Sequence, residues 1–105
     1  MIPSKVRLGH RSLDVFLTEL DDDRIGEYSY RHGEVRIAGQ LKPDIQAVTL
    51  LHEIFHHVLA ESGRNASMTP EDEEGEVTFW ASAVSQLIAD NPAIAVYLLK
   101  SFGEE

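Results

Sequence analysis

The chain has no cysteine, and its nine basic residues are outnumbered two to one by eighteen acidic ones. Without cysteine there is neither a disulfide framework nor a thiolate zinc site, so any zinc must be held by His, Asp or Glu. A net charge of −9 repels phosphate backbones and anionic membranes, which argues against nucleic acid or a membrane surface as a direct partner. No apolar run approaches the roughly 20 residues needed to cross a bilayer, and the first seven residues lack the apolar stretch of a secretory signal. A cytoplasmic protein is therefore expected. Internal repeats, linkers and low-complexity segments are also missing, and the Asp21-Asp22-Asp23 run is too short to be a disordered acidic tail. What is left, 105 residues of which 43% are apolar, is enough for one domain with a modest core.

The most informative string present is His52-Glu53-Ile54-Phe55-His56, set between the apolar runs Val48-Thr49-Leu50-Leu51 and Val58-Leu59. Two imidazoles four residues apart on a helix project from one face, about 6 Å apart at their Cβ atoms, which suits two corners of a zinc tetrahedron. Glu53 follows the first histidine and is placed to take a proton from water at the metal without being a ligand, the general-base position of a zinc peptidase. A pair of core histidines satisfied by neighbours is the plain alternative. Burying two histidines and a glutamate among apolar residues is costly, however, unless something pairs with them.

The predicted architecture is α+β: a small, mainly antiparallel sheet of three or four N-terminal strands packed on the HExxH helix and two C-terminal helices. Alternation predicts strands over Lys5 to Gly9 and around Leu13, Val15 and Leu17, with a turn at Gly9-His10-Arg11-Ser12. Ile25 to Tyr30 and Val35 to Ala38 flank a hairpin loop in which Gly33 supplies a positive φ. Thr18 to Asp23 fits either a strand end or a helical turn. A first helix is expected from Pro43 or Asp44 to Ser62, with Asp44 accepting from unpaired N–H groups and Gly63 terminating it; its apolar residues wrap most of the circumference, implying burial on nearly all sides. Residues 64–68 read as a loop. A second helix starts at Thr69 (N-cap) and Pro70, with Asp72 pairing with Thr69 and a core stripe of Val77, Trp80, Ala81, Val84, Leu87 and Ile88. Asp90-Asn91-Pro92 breaks it, Asn91 capping a third helix that ends at Gly103, and residues 101–105 look like a frayed end.

A catalytic zinc needs a third protein ligand. The sequence after the motif, His56-His57-Val58-Leu59-Ala60-Glu61-Ser62, lacks the glycine and third histidine of the metzincin pattern, which excludes that subclass. The remaining route is a carboxylate from the second helix, where Glu71, Asp72, Glu73, Glu74 and Glu76 cluster. The stripe Val77, Ala81, Val84 and Ile88 projects back onto Glu74 and Glu73, whereas Glu71 and Asp72 belong to the capped first turn. Glu74 is the preferred ligand and Glu73 its rival. Acids that do not bind metal complement the positive end of the helix dipole and face water.

With strands, an HEIFHH helix, a polar loop and an E-x-x-V-x-x-W-A helix, residues 25 to 92 resemble the minimal gluzincin metallopeptidases of the ImmA/IrrE type. The likeness is greatest to the short phage- and prophage-encoded metallopeptidase-like proteins, to which the tail Gln86 to Pro92 is also similar. The resemblance implies zinc held by His52, His56 and Glu74, Glu53 as catalytic base, and a peptide or protein substrate. The Leu-Met-Pro ending usual on the glutamate helix of the larger members is missing, and so is a DNA-binding segment.

The expected chemistry is peptide hydrolysis by metal-activated water with Glu53 as base. The strand around Val35 to Gly39 is expected to offer an edge to which an extended peptide adds. Tyr28, Tyr30, His32 and His57 are oxyanion-stabilising candidates by residue type alone; Tyr28 and Tyr30 read as ordinary strand aromatics, His32 as a solvated loop residue, and His57 as pointing away from the ligand face. The outer ring nitrogens of His52 and His56 should donate to a carboxylate or carbonyl. Two rivals stand beside this reading: a catalytically silent binding module on a peptidase scaffold, such as a phage protein that sequesters another protein, and a structural zinc site whose fourth ligand is His57 or a second acid.

Overall fold

The computed structural model describes residues 1–21 and 23–103; Asp22, Glu104 and Glu105 lie outside it. Strand β1 (Lys5–Leu8) and strand β2 (Arg11–Thr18) form a hairpin around Gly9-His10, and β3 (Gly26–Ser29) and β4 (Glu34–Ala38) form a second around residues 30–33. Both turns use glycine where φ is positive, +61° at Gly9 and +63° at Gly33, a region in which a Cβ is strained. Thr18 closes β2 as a strand residue, and the described residues between it and β3 have no regular structure.

The strand order is β1-β2-β4-β3. The two outer pairings are antiparallel, but β2 and β4 run parallel in the middle, with Val15 opposite Val35 and Leu17 opposite Ile37. The sheet is thus mixed. It also reverses the expected edge: β4 is interior and β3 is the free edge beside it. Composition explains the placement. Val35, Ile37 and Ala38 are all fully buried, as suits a strand paired on both sides, whereas the Gly-Glu-Tyr-Ser of β3 is only half-buried throughout and tolerates an edge.

Helix α1 (Pro43–Ser62) lies across one face of this sheet. Pro43 occupies its first turn, Asp44 Oδ1 accepts from the Ile45 N–H at 3.0 Å, and Gly63 ends it at φ +79°. Leu50 joins Leu13, Val15, Val35 and Ile37 in the core, with Val6, Tyr28, Leu41 and Ile54 packed around them. The helix is not buried all round. Its buried residues are Thr49, Leu50, Glu53 and His57, and Ile45 and Val58 are exposed, because the sheet covers one side and a single helix covers another. Three of those four are polar and lie at i, i+4 and i+8, so one line of the helix carries its polar groups inward beneath the sheet.

A short 3-10 turn (Arg64–Ser67) replaces the expected loop and leads into α2 (Pro70–Asp90). Thr69 Oγ1 accepts from the Asp72 N–H at 3.0 Å, the cap expected from sequence. Of the predicted stripe only Val77 and Ala81 are buried, against α1; Trp80, Leu87 and Ile88 stand 52%, 49% and 44% exposed. Asn91 caps the end of α2, its side-chain amide donating to the Leu87 carbonyl at 3.0 Å, and α3 (Pro92–Gly103) follows. Ser101 and Phe102 form the last turn of α3 instead of fraying, while Glu104 and Glu105 are outside the described residues. No residue of α3 is buried. Among the described residues no helix is long and apolar enough to cross a membrane.

Candidate metal centre

Two adjacent lines of α1 divide the work. Thr49, Glu53 and His57 face inward under β3, while His52 and His56, one residue back and therefore about 100° around the helix, face the start of α2. The imidazoles of His52 and His56 lie 5.0 Å apart at their centroids. Glu74 spans them: its Oε2 is 3.0 Å from His52 Nε2, and its Oε1 is 3.0 Å from His56 Nε2. The three ligand atoms all fall within 4.8 Å of one another, and the group could hold a metal ion. Ligands at zinc-like bond lengths of about 2.0–2.2 Å stand roughly 3.3 Å apart along a tetrahedral edge, so the spacing between Glu74 and each histidine is close to what coordination requires.

Of the five acids at the start of α2, two reach the histidines. Glu74 meets both, and the Thr78 hydroxyl steadies it at 3.5 Å. Glu73 Oε2 lies 2.6 Å from His56 Nδ1, the ring nitrogen that faces away from the site. A carboxylate there holds the proton on Nδ1 and leaves the Nε2 lone pair free for a cation. The two glutamates that compete as ligands in the sequence thus lie on either side of one imidazole, Glu74 where it could join a metal group and Glu73 on the outer nitrogen. Glu71, Asp72 and Glu76 line a different groove, between α1 and α2.

Glu53 is buried, 7% exposed, in the wall of the same cleft, a hollow of about 700 Å3 that also takes in Gly26, Glu27, Tyr28, His52, His56 and Glu74. Burial pushes its carboxyl up from 4.5 to about 7; nearby His56 pulls it down, and Glu74 and Glu27 push it further up. The backbone of β3 comes close because residue 26 is glycine: a Cβ there would sit 2.6 Å from Thr49 Cγ2 and 3.0 Å from Glu53 Oε2. The Glu74 carboxyl is held below the usual carboxylate range: although partial burial raises it, His52 and His56 together outweigh that effect.

His57 is fully buried and not among the ligand atoms. Its Nδ1 is 2.7 Å from the Tyr28 hydroxyl, and its Nε2 faces Glu61 at 3.7 Å, beyond hydrogen-bond reach. Burial lowers the His57 pKa and raises that of Tyr28 to about 12, so a neutral imidazole accepts from a protonated phenol. Tyr28 is more than a packing aromatic, since it satisfies a buried ring nitrogen. Tyr30 lies tilted 6.4 Å from the His57 ring, with the Arg11 guanidinium 4.3 Å from its own centroid. His32 is exposed and pairs with Ser29 at 2.9 Å, away from the histidine pair. Sequence reasoning missed the Tyr28–His57 pair and the division between Glu73 and Glu74; the doublets His56-His57 and Glu73-Glu74 were the available signals. Compared with models of known protein families the chain gives no match, and no curated protein matches it.

Proposed function

We propose that the protein is a zinc-dependent metallopeptidase of the gluzincin kind, hydrolysing a peptide bond with Glu53 as general base. The observation that carries this reading is the convergence of His52, His56 and Glu74 beside a buried carboxyl whose pKa is about 7. The donor set fits a borderline cation: two imidazole nitrogens, one carboxylate oxygen, and a second carboxylate fixing one ring's tautomer. Zinc bound there would acidify water and polarise a carbonyl.

The chain's own residues do the rest. Glu53 is matched to neutral pH, so it both accepts a proton from the attacking water and returns it to the departing amine. His56 is held by Glu73, and His52 by its place one turn earlier on the same helix. Strand β3 has one hydrogen-bonding edge committed to β4 and the other free, and Gly26, Glu27 and Tyr28 border the cleft. An extended peptide adding to that edge would run beside Glu53. The proposal includes a peptide or protein substrate and a cytoplasmic setting.

The test is Glu53→Gln in zinc-loaded protein. Hydrolysis of an unfolded protein substrate should fall at least a thousandfold, while zinc content and fold persist. Unchanged hydrolysis would remove Glu53 from its role. Should the variant keep the full biological effect of the wild type, the domain acts by binding and not by cleavage.

A further inference from the structure

The structure is larger than its mass requires. Its accessible surface is 7735 Å2 for 11.7 kDa, whereas a folded monomer of that mass exposes about 5,900 Å2. The radius of gyration is 14.2 Å against about 13 Å for a compact chain of this length. The surplus, roughly 1,800 Å2, exceeds the ~800 Å2 that each partner contributes to a standard interface and falls in the range of obligate pairs.

Ten of the 17 large apolar side chains that stand exposed among the described residues lie on α2 and α3. Phe79, Trp80, Leu87, Tyr97, Leu99 and Phe102 are 60%, 52%, 49%, 65%, 77% and 81% exposed. Helix α3 packs chiefly on α2, and none of its residues is buried. Phe79 and Trp80 also line the groove of about 1010 Å3 between α1 and α2, whose apolar lining of Phe55, Val58, Leu59 and Met68 gives way to Glu71, Asp72, Glu76 and Arg64. Large apolar side chains left this exposed on two consecutive helices mark a docking surface.

Area and charge together fit a second copy of the chain as what covers it. Over residues 77–103 the only charged side chains are Asp90 and Lys100, of opposite sign, in a chain that is 26% charged and carries −9 overall. The acidic excess lies chiefly on residues 45–76, which carry one arginine against seven acids, so two copies meeting through that segment repel. Through residues 77–103 two copies meet without net charge on either side, and an apolar patch can pair with itself across a twofold axis. We propose that the protein is an isologous dimer, formed by packing residues 77–103 of α2 and α3 in one copy on the same residues of a second. This inference is independent of the metal centre.

The full-length chain is tested by sedimentation velocity between 1 and about 100 µM, together with Trp80 emission over the same range. The wild type should sediment at twice 11.7 kDa, with emission shifting to the red on dilution as half-exposed Trp80 loses its cover. Leu99→Glu combined with Phe102→Glu alters two side chains that are already mostly exposed, so folding is spared, and should weaken association at least a hundredfold. A wild type that sediments at 11.7 kDa at the highest concentration would overturn the proposal, including one that instead floats with phosphatidylcholine vesicles. A dimer that survives the double substitution with invariant emission would overturn it too, by placing the contact elsewhere.

Discussion

Replacing Glu53 by Gln should make the metal-free protein more stable, and increasingly so as pH rises. The carboxyl is 7% exposed, so solvent screening does little for it, and its pKa is raised from 4.5 to about 7. Below 4.5 it is neutral in both states, and above 7 charged in both. In between, the folded chain holds a proton that the unfolded chain has released, so stability falls as pH rises through this window and the loss is complete above it. The gap between the two values corresponds to about 3 kcal/mol. Glutamine has the same size and no charge, so it removes the slope. His57, whose pKa burial lowers, works in the opposite direction, losing stability as pH falls through its own window. Comparing the variant with the wild type at each pH cancels that contribution. Urea titrations in the presence of a chelator at pH 5, 6, 7 and 8 should show the advantage of the variant growing from about 1 to about 3 kcal/mol. A difference that stays constant across the series would show that Glu53 is not held uncharged by burial, and the case for a base matched to neutral pH would go with it.

Glu73→Gln should weaken zinc binding ten- to a hundredfold by loosening His56 Nδ1, and Glu74→Gln by more, measured by competition with a chromophoric chelator; equal losses would contradict the division of roles. Gly26→Ala forces a methyl to 2.6 Å from Thr49 Cγ2, so it should cost about 1–3 kcal/mol in urea unfolding and lower turnover by displacing Glu53. Tyr28→Phe leaves His57 buried with neither ring nitrogen bonded, which should cost about 1–3 kcal/mol, and a neutral result would mean that water replaces the hydroxyl.

Much of this was legible from residue pattern alone, and the parts that were not share a cause. Helix limits followed from local chemistry: Pro43, Gly63, Thr69 and Pro92 act within a turn of themselves, and the α+β class followed from the switch in periodicity after residue 40. The parallel pairing of β2 with β4 was hidden because strand neighbours depend on which strand most needs burial on both sides, a comparison across the whole chain. Burial of α1 was overestimated for a similar reason. Its apolar circumference describes what the helix could bury, whereas this small fold supplies only one sheet and one helix to cover it. The same excess on α2 and α3, misread as a core stripe at Trp80, Leu87 and Ile88, becomes intelligible once a second copy is allowed to complete the core.

At the candidate site, helix geometry selected Glu73 and Glu74 from five acids and preferred Glu74 only narrowly, because adjacent residues diverge by about 100° and both flank a partner as broad as an imidazole. What separates them is which ring nitrogen each meets, and that depends on the rotamer of His56. The resulting cluster gathers Glu53, Glu73 and Glu74 around two imidazoles at the edge of a cleft, in a protein already carrying −9. Three carboxyl groups so placed crowd like charge into one spot: only His52 and His56 hold Glu74 down, while burial keeps Glu53 high and Glu74 and Glu27 push it higher. Apolar residues would fill the same space at less electrostatic cost. The arrangement makes physical sense if a divalent cation neutralises it, and the same cation would pull Glu53 back toward its ionised form at the pH where a base is needed.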